Sequence, residues 1–145
     1  MSTSNVKELT IKASRENFEK VLAFVDERLE ELGCTPKAQM QIDIALEEIY
    51  VNVSSYAYPD GKNPFEEGKV TIRVEDTDDP KSVAITLTDR GIPFDPLAKE
   101  DPDITLSAEE RRIGGLGIFM VKKSMDLMKY EYKDGQNILT FRKDL

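Results

Sequence analysis

Hydrophobic positions along the chain switch between two rhythms, and the switches mark the elements. Residues 6–13 alternate loosely and are rich enough in β-branched side chains to predict a first strand. Ser14 reads as an N-cap, after which Phe18, Val21, Leu22, Val25, Leu29 and Leu32 recur at helical spacing as far as Gly33. Thr35 followed by Pro36 is a second cap, with proline at the first helical position. From there Ala38, Ile42, Ala45, Leu46, Ile49 and Val53 form one stripe of a helix predicted to reach about Tyr58, with Pro59, Asp60 and Gly61 ending it. Period two returns over 69–75 and 82–88, and the acidic stretch 76–80 between them suits a hairpin connection. Residues 89–112, rich in Pro, Asp and Glu, predict a long loop of the kind that serves compact domains as a lid or stays disordered. A third helix is predicted from Gly115 to about Met128. Strands over 129–133 and 138–142 then flank a second hairpin connection at Asp134, Gly135, Gln136 and Asn137.

Helices grouped apart from paired strands predict an α+β fold. The expected architecture is a single domain over 1–145: a two-layer sandwich with one mixed, mostly antiparallel sheet against a layer of helices. Composition agrees, since 39% hydrophobic and 33% charged residues in 145 are too apolar for disorder and too polar for a membrane protein. No apolar run approaches the roughly 20 residues a bilayer needs, and residues 1–5 have neither the basic start nor the apolar segment of an export signal. The single cysteine, Cys34, cannot form an internal disulfide, which fits a cytoplasmic protein; a small part-buried thiol at a helix boundary is expected there.

A net charge of −8 repels phosphate backbones and argues against direct nucleic-acid binding. With no histidine in the chain, Ser-His-Asp catalysis is excluded and a zinc centre is a poor expectation.

Three short constellations carry candidate chemistry. Glu48 and Asn52, four residues apart on the second helix, share one face off the apolar stripe. An Asn carbonyl can ligate Mg²⁺, and a carboxylate one turn away can take a proton from a hydroxyl or water. Taken alone, this pair reads better as a solvated helix face. Asp89 and Gly91 follow directly on a strand predicted to be buried. A carboxylate there can accept the exocyclic amine of adenine, and glycine lets backbone approach a base; taken alone, a strand-ending turn reads equally well. Gly114, Gly115, Leu116 and Gly117 open the third helix, where bare backbone N–H groups and the positive helix end suit phosphate oxygens.

In this order and setting, the three resemble the N box and the two glycine boxes of the ATPase superfamily shared by DNA gyrase, histidine kinases, a heat-shock chaperone and mismatch-repair proteins. Within it the chain is similar to the small bacterial anti-sigma factor serine kinases. The likeness rests on Leu46, Glu47, Glu48, Asn52, Tyr56, Ala57, Tyr58, the run from Asp89 to Pro96, the run from Gly114 to Ile118, and Met125 with Asp126. It covers essentially the whole domain. Tyr56 departs from it, standing where the family often has histidine, and residues 59–68 and 97–112 differ freely in such proteins.

The resemblance implies an ATP- and Mg²⁺-dependent serine/threonine kinase. It would phosphorylate an antagonist (anti-anti-sigma) protein and, in another complex, hold a sigma factor inactive. It implies Asn52 on Mg²⁺, Asp89 on adenine with Gly91 beside it, and Gly115, Leu116 and Gly117 around the phosphates. Glu48 would orient or deprotonate the incoming hydroxyl, and Arg111 or Arg112 would reach the γ-phosphate. Two other readings stay open. One is a non-catalytic module in which ATP orders the lid for a partner. The other is a detached histidine-kinase catalytic domain, which here lacks a phosphoacceptor histidine. Homodimer formation is also left open by the sequence.

Overall fold

A computed structural model describes residues 5–54, 68–78, 81–93, 95, 97 and 116–145. Strand β1 (Asn5–Lys12) leads through a short 3₁₀ turn (Arg15–Asn17) into α1 (Phe18–Glu31) and α2 (Pro36–Asn52). Strands β2 (Lys69–Asp78) and β3 (Lys81–Asp89) follow, then α3 (Leu116–Ser124) and the strands β4 (Leu127–Lys133) and β5 (Gln136–Asp144). The five strands form one sheet in the order β1-β2-β3-β5-β4, and every pairing is antiparallel. This is the expected α+β arrangement. Among the described residues, no helix is long and apolar enough to cross a membrane.

Alternation assigns each strand a covered and an open face. Val70, Ile72 and Val74 of β2, Val83, Ile85 and Leu87 of β3, and Leu139 and Phe141 of β5 are buried on the covered face. Val21, Val25 and Leu29 of α1 and Ile42, Ala45, Leu46 and Ile49 of α2 close over them, so the two helical stripes predicted from spacing are the ones that pack. Helix α2 lies between α1 and α3 and contacts both. The open face carries threonines paired through their hydroxyls, Thr10 with Thr71 at 2.8 Å and Thr86 with Thr140 at 3.1 Å. Arg28 of α1 also ties the layers, donating to Asp76 of β2 at 2.7 Å, a bond that raises the guanidinium above its ordinary value.

The ladder of β2 and β3 runs on through Asp78 and Lys81, so most of the stretch 76–80 expected as a connection is strand. Strand β4 starts at Leu127, and the expected end of the second helix near Tyr58 lies outside the described residues. Three further boundaries differ from expectation, each with a local cause. Ser14 makes no side-chain cap; its carbonyl instead accepts from Asn17 N at 3.1 Å, closing a 3₁₀ turn, and the α-helix proper starts at Phe18. Thr35 does cap α2, its hydroxyl accepting from Ala38 N at 3.2 Å. Helix α3 stops at Ser124 rather than near Met128. Ser124 Oγ donates back to Val121 O at 3.1 Å, Lys143 Nζ donates to the freed Ser124 carbonyl at 2.7 Å, and Asp126 N already bonds to Arg142 O at 2.9 Å across the sheet. The last hairpin is tighter than expected. Asp134 (φ 54°) and Gly135 (φ 76°) alone form the turn, so Gln136 and Asn137 belong to β5.

Candidate functional site

The second helix carries the first pair of candidates. Glu48 and Asn52 stand one turn apart, both half-buried. Asn52 Nδ2 donates to the Glu48 carbonyl at 2.7 Å, which engages the donor end of the amide and leaves Oδ1 its acceptor capacity. Burial, reinforced by the adjacent charge of Glu47, pushes the Glu48 carboxyl above the usual carboxylate range. Immediately beyond, the backbone widens into a π turn at Val53 and Ser54.

The register puts α2 and Asp89 at one end of the sheet. Tyr50 of α2 donates its hydroxyl to the carbonyls of Ser14 at 2.6 Å and Lys12 at 3.3 Å, which fixes this half of the helix above the end of β1. Lys12 pairs with Lys69, and the next residue, Val70, pairs with Asp89. Among the described residues, no hydrogen bond joins Glu48 or Asn52 to Asp89.

Asp89 is only 4% exposed, a buried carboxyl on the covered face at the last position of β3. Its Oδ1 accepts from Gly91 N at 2.8 Å and from Asn137 Nδ2 at 2.9 Å. Burial raises its pKa, and these two donors pull it back down. Both bonds fall on one oxygen, so Oδ2 keeps its acceptor capacity.

Asn137 was not among the residues expected from sequence. It lies opposite Asp89 in the β3–β5 ladder, and its Nδ2 also bonds to Ile92 O at 2.8 Å and approaches Gly91 O at 3.4 Å. Tyr130 of β4 donates its hydroxyl to Asn137 Oδ1. One buried amide thus holds the carboxylate and the backbone of the turn that follows it. Reading Asp134 and Gly135 as a two-residue turn would have revealed this, because Asn137, Leu139 and Phe141 then share the inward face. Farther along, Asp95 Oδ1 accepts from Leu97 N at 2.8 Å, and Leu97 packs against the core.

The backbones of Leu116 and Gly117 form the first turn of α3, where the sequence predicted it. Gly114, Gly115, Arg111 and Arg112 lie outside the described residues, as do Tyr56 and nearly all of the expected lid. Cys34 is a half-buried thiol whose pKa burial raises, which fits a packing role. No group of three or more His, Cys, Asp or Glu side chains converges on a metal position among the described residues.

Comparison with known proteins bears on the family and the fold. Over 102 residues the chain is 29% identical to the serine-protein kinase RsbW of Listeria monocytogenes and 28% identical to that of Listeria innocua. Each match spans 66% of this chain and 64% of the relative. Two solved structures share the fold at low identity. One contains the RsbU and RsbW domains of a Mycobacterium tuberculosis protein (TM-score 0.67, 17% identity, 97% of this chain and 32% of that one). The other is the SiaB–SiaC complex from Pseudomonas aeruginosa (TM-score 0.63, 16% identity, 96% of this chain and 89% of that one). The sequence profile described as the histidine kinase-like ATPase domain matches residues 11–143, nearly the full length, and the chain therefore belongs to that family.

Proposed function

We propose that this chain binds ATP with Mg²⁺ in the cytoplasm and acts as a serine/threonine protein kinase on a small antagonist protein in a partner-switching pathway. In a second complex it holds a sigma factor inactive. The observation that carries the reading is Asp89: a buried carboxyl with one oxygen fixed by Gly91 and Asn137 and the other left as an acceptor at the sheet end. An acceptor so placed suits the exocyclic amine of a purine, and Gly91 gives the base close access to backbone. The names of the Listeria relatives support the kinase assignment.

The residues of α2 fit the metal half of such a site. Asn52 Oδ1 is a neutral oxygen donor with its amide nitrogen already engaged, which suits one ligand position on Mg²⁺. A Mg²⁺ held there would supply charge neutralisation for phosphate oxygens. The start of α3 presents backbone N–H groups to phosphate oxygens, with Gly115, Leu116 and Gly117 in that role and Arg112 reaching the γ-phosphate. Glu48, one turn before Asn52, orients the acceptor hydroxyl and takes its proton. Burial raises the proton affinity of Glu48 above that of an ordinary carboxylate, which makes it a stronger base.

The test is transfer of labelled γ-phosphate to a cognate antagonist. Glu48→Gln should keep ATP affinity within a few-fold while slowing transfer by roughly 10²–10⁴, the range ascribed to general-base catalysis. Wild-type protein that binds ATP and antagonist but transfers nothing would replace the kinase with an ATP-ordered binding module. A variant as fast as wild type would remove Glu48 from the mechanism.

A further inference from the structure

Beside the apolar contact of α1 and α2, two half-buried carboxyl groups come within side-chain hydrogen-bonding reach of each other. Asp26 projects from α1 and Asp43 from α2, and each has one carboxylate oxygen, Oδ1, buried without any hydrogen-bond partner. Ionised carboxylates only accept hydrogen bonds, so two facing each other in a buried contact lack a donor. A buried acceptor left in that state is costly.

Among the described residues, no cation is among the groups acting on Asp43. On α1, Glu30 adds a further negative charge to the field at Asp43. On α2, Glu47 lines the same surface groove as Asp43. Cys34, in the connection between the helices, is itself raised by the charge of Asp43, whereas Lys81 at the start of β3 lowers Cys34 and is not among the groups acting on Asp43. Arg28, two residues beyond Asp26, is turned to the sheet, where it bonds to Asp76 at 2.7 Å.

We propose that Asp26 and Asp43 share one proton across the α1–α2 contact, forming a latch that alkaline solution releases. The proton supplies the missing donor: one carboxyl becomes an O–H and bonds to the oxygen of the other. Asp43 also lines the groove opening between the helices beside Phe18, Leu22 and Met40, which gives solvent a path to that proton.

Burial and the neighbouring Asp26 push Asp43 up to about 8, in agreement with such a pair. The sign follows from linkage. A carboxyl with a raised pKa in the folded state binds more protons folded than unfolded. Its stabilising contribution is complete below the ordinary carboxylate range and is lost as pH rises through about 8. Release leaves two like charges facing one another, and α1 loosens from α2.

Two measurements on the full chain decide the matter. Carboxyl carbon chemical shifts of labelled aspartate, followed against pH, should show Asp43 ionising near 8, and Asp26→Asn should bring that midpoint down. After correction for intrinsic rates, amides of α1 should exchange about tenfold faster at alkaline than at neutral pH. Asp43→Asn should abolish this change and melt about 3 °C or more above wild type in alkaline buffer. An Asp43 that ionises in the usual carboxylate range would overturn the proposal, as would a midpoint that Asp26→Asn does not move, or α1 protection that is level across the pH range. Should Asp43→Asn fail to fold, the wild-type titration and Asp26→Asn still decide it.

Discussion

The two halves of the candidate site are built to different standards of rigidity. At the sheet end, Asp89 is held by Gly91 and Asn137, Asn137 is held by Tyr130, and the same amide grips the carbonyl of Ile92. Three strands converge there. On α2, Asn52 bonds, among the described residues, only to a carbonyl of its own helix, and Glu48 is set by burial and by the charge next to it. A group that must discriminate one base from another gains from a fixed acceptor, because any misalignment weakens the contact. Groups that ligate a metal and meet an arriving hydroxyl need room to adjust. The contrast teaches that in this fold, substitutions at the sheet end disturb structure and binding together, whereas those on α2 alter chemistry with the fold intact.

Removing the amide of Asn137 should break the rigid half. Asn137→Ala removes the amide's bonds to the Ile92 carbonyl and to the Tyr130 hydroxyl and takes one of two donors from Asp89. The bond lost between Asn137 and the buried Asp89 carboxylate costs about 1–3 kcal/mol, and the part-buried bonds to Ile92 and Tyr130 add less, so within one network the sum stays near 3 kcal/mol. Denaturant unfolding should register that loss. The Asp89 carboxyl should also rise further, since the bond from Asn137 is the strongest influence holding it down. ATP affinity should therefore weaken and fall away on acidification earlier than in wild type. A variant with wild-type stability and affinity would show that the sheet-end network positions nothing.

Asn52→Ala tests the other half. The Glu48 carbonyl keeps its helical N–H partner when the side chain is removed, so no buried group is orphaned. Alanine is also the better helix former, by at most about 0.7 kcal/mol. Stability should stay within about 0.5 kcal/mol of wild type, while the enhancement of ATP binding by Mg²⁺, read by calorimetry with and without the ion, disappears. If Asn52→Ala destabilised the protein as much as Asn137→Ala, the two halves would not differ as argued.

How much of this was legible in the sequence follows from the range of the forces involved. The stripes of α1 and α2 and the alternation of β2 and β3 are statements about burial, and burial writes a period into the chain. The Thr35 cap with Pro36 is equally local. Asp89 and Gly91 were readable because an Asx turn after a buried strand is a short-range feature. Asn137 was not, because its meaning comes from a partner 48 residues away and from a turn two residues tighter than its composition suggested. The C-terminus of α3 was missed for the same reason: Lys143 and Arg142, on the neighbouring strand, decide where that helix ends. Asp26 and Asp43 each sit on a helix of ordinary pattern, and only the packing of one helix on the other puts the two carboxyls face to face.

The smallest effect sharpens the account of Glu48. Its pKa is raised first by burial and second by Glu47, which is itself exposed. As a base, Glu48 works only when ionised, so phosphate transfer by wild type should decline on acidification at a pH above the ordinary carboxylate range. Glu47→Gln removes the lesser of the two causes, and the acid limb of the rate profile should move down. Above that limb the variant and wild type should run at the same speed; on it, the variant should be faster by about twofold, as expected for one solvent-exposed charge. Raising the salt concentration should shrink the difference, because mobile ions screen Glu47 but do not alter the burial of Glu48. An acid limb that Glu47→Gln leaves in place at low salt would mean that burial alone sets the proton affinity of Glu48. A limb unmoved by both Glu47→Gln and salt, and retained in Glu48→Gln, would assign it to another group.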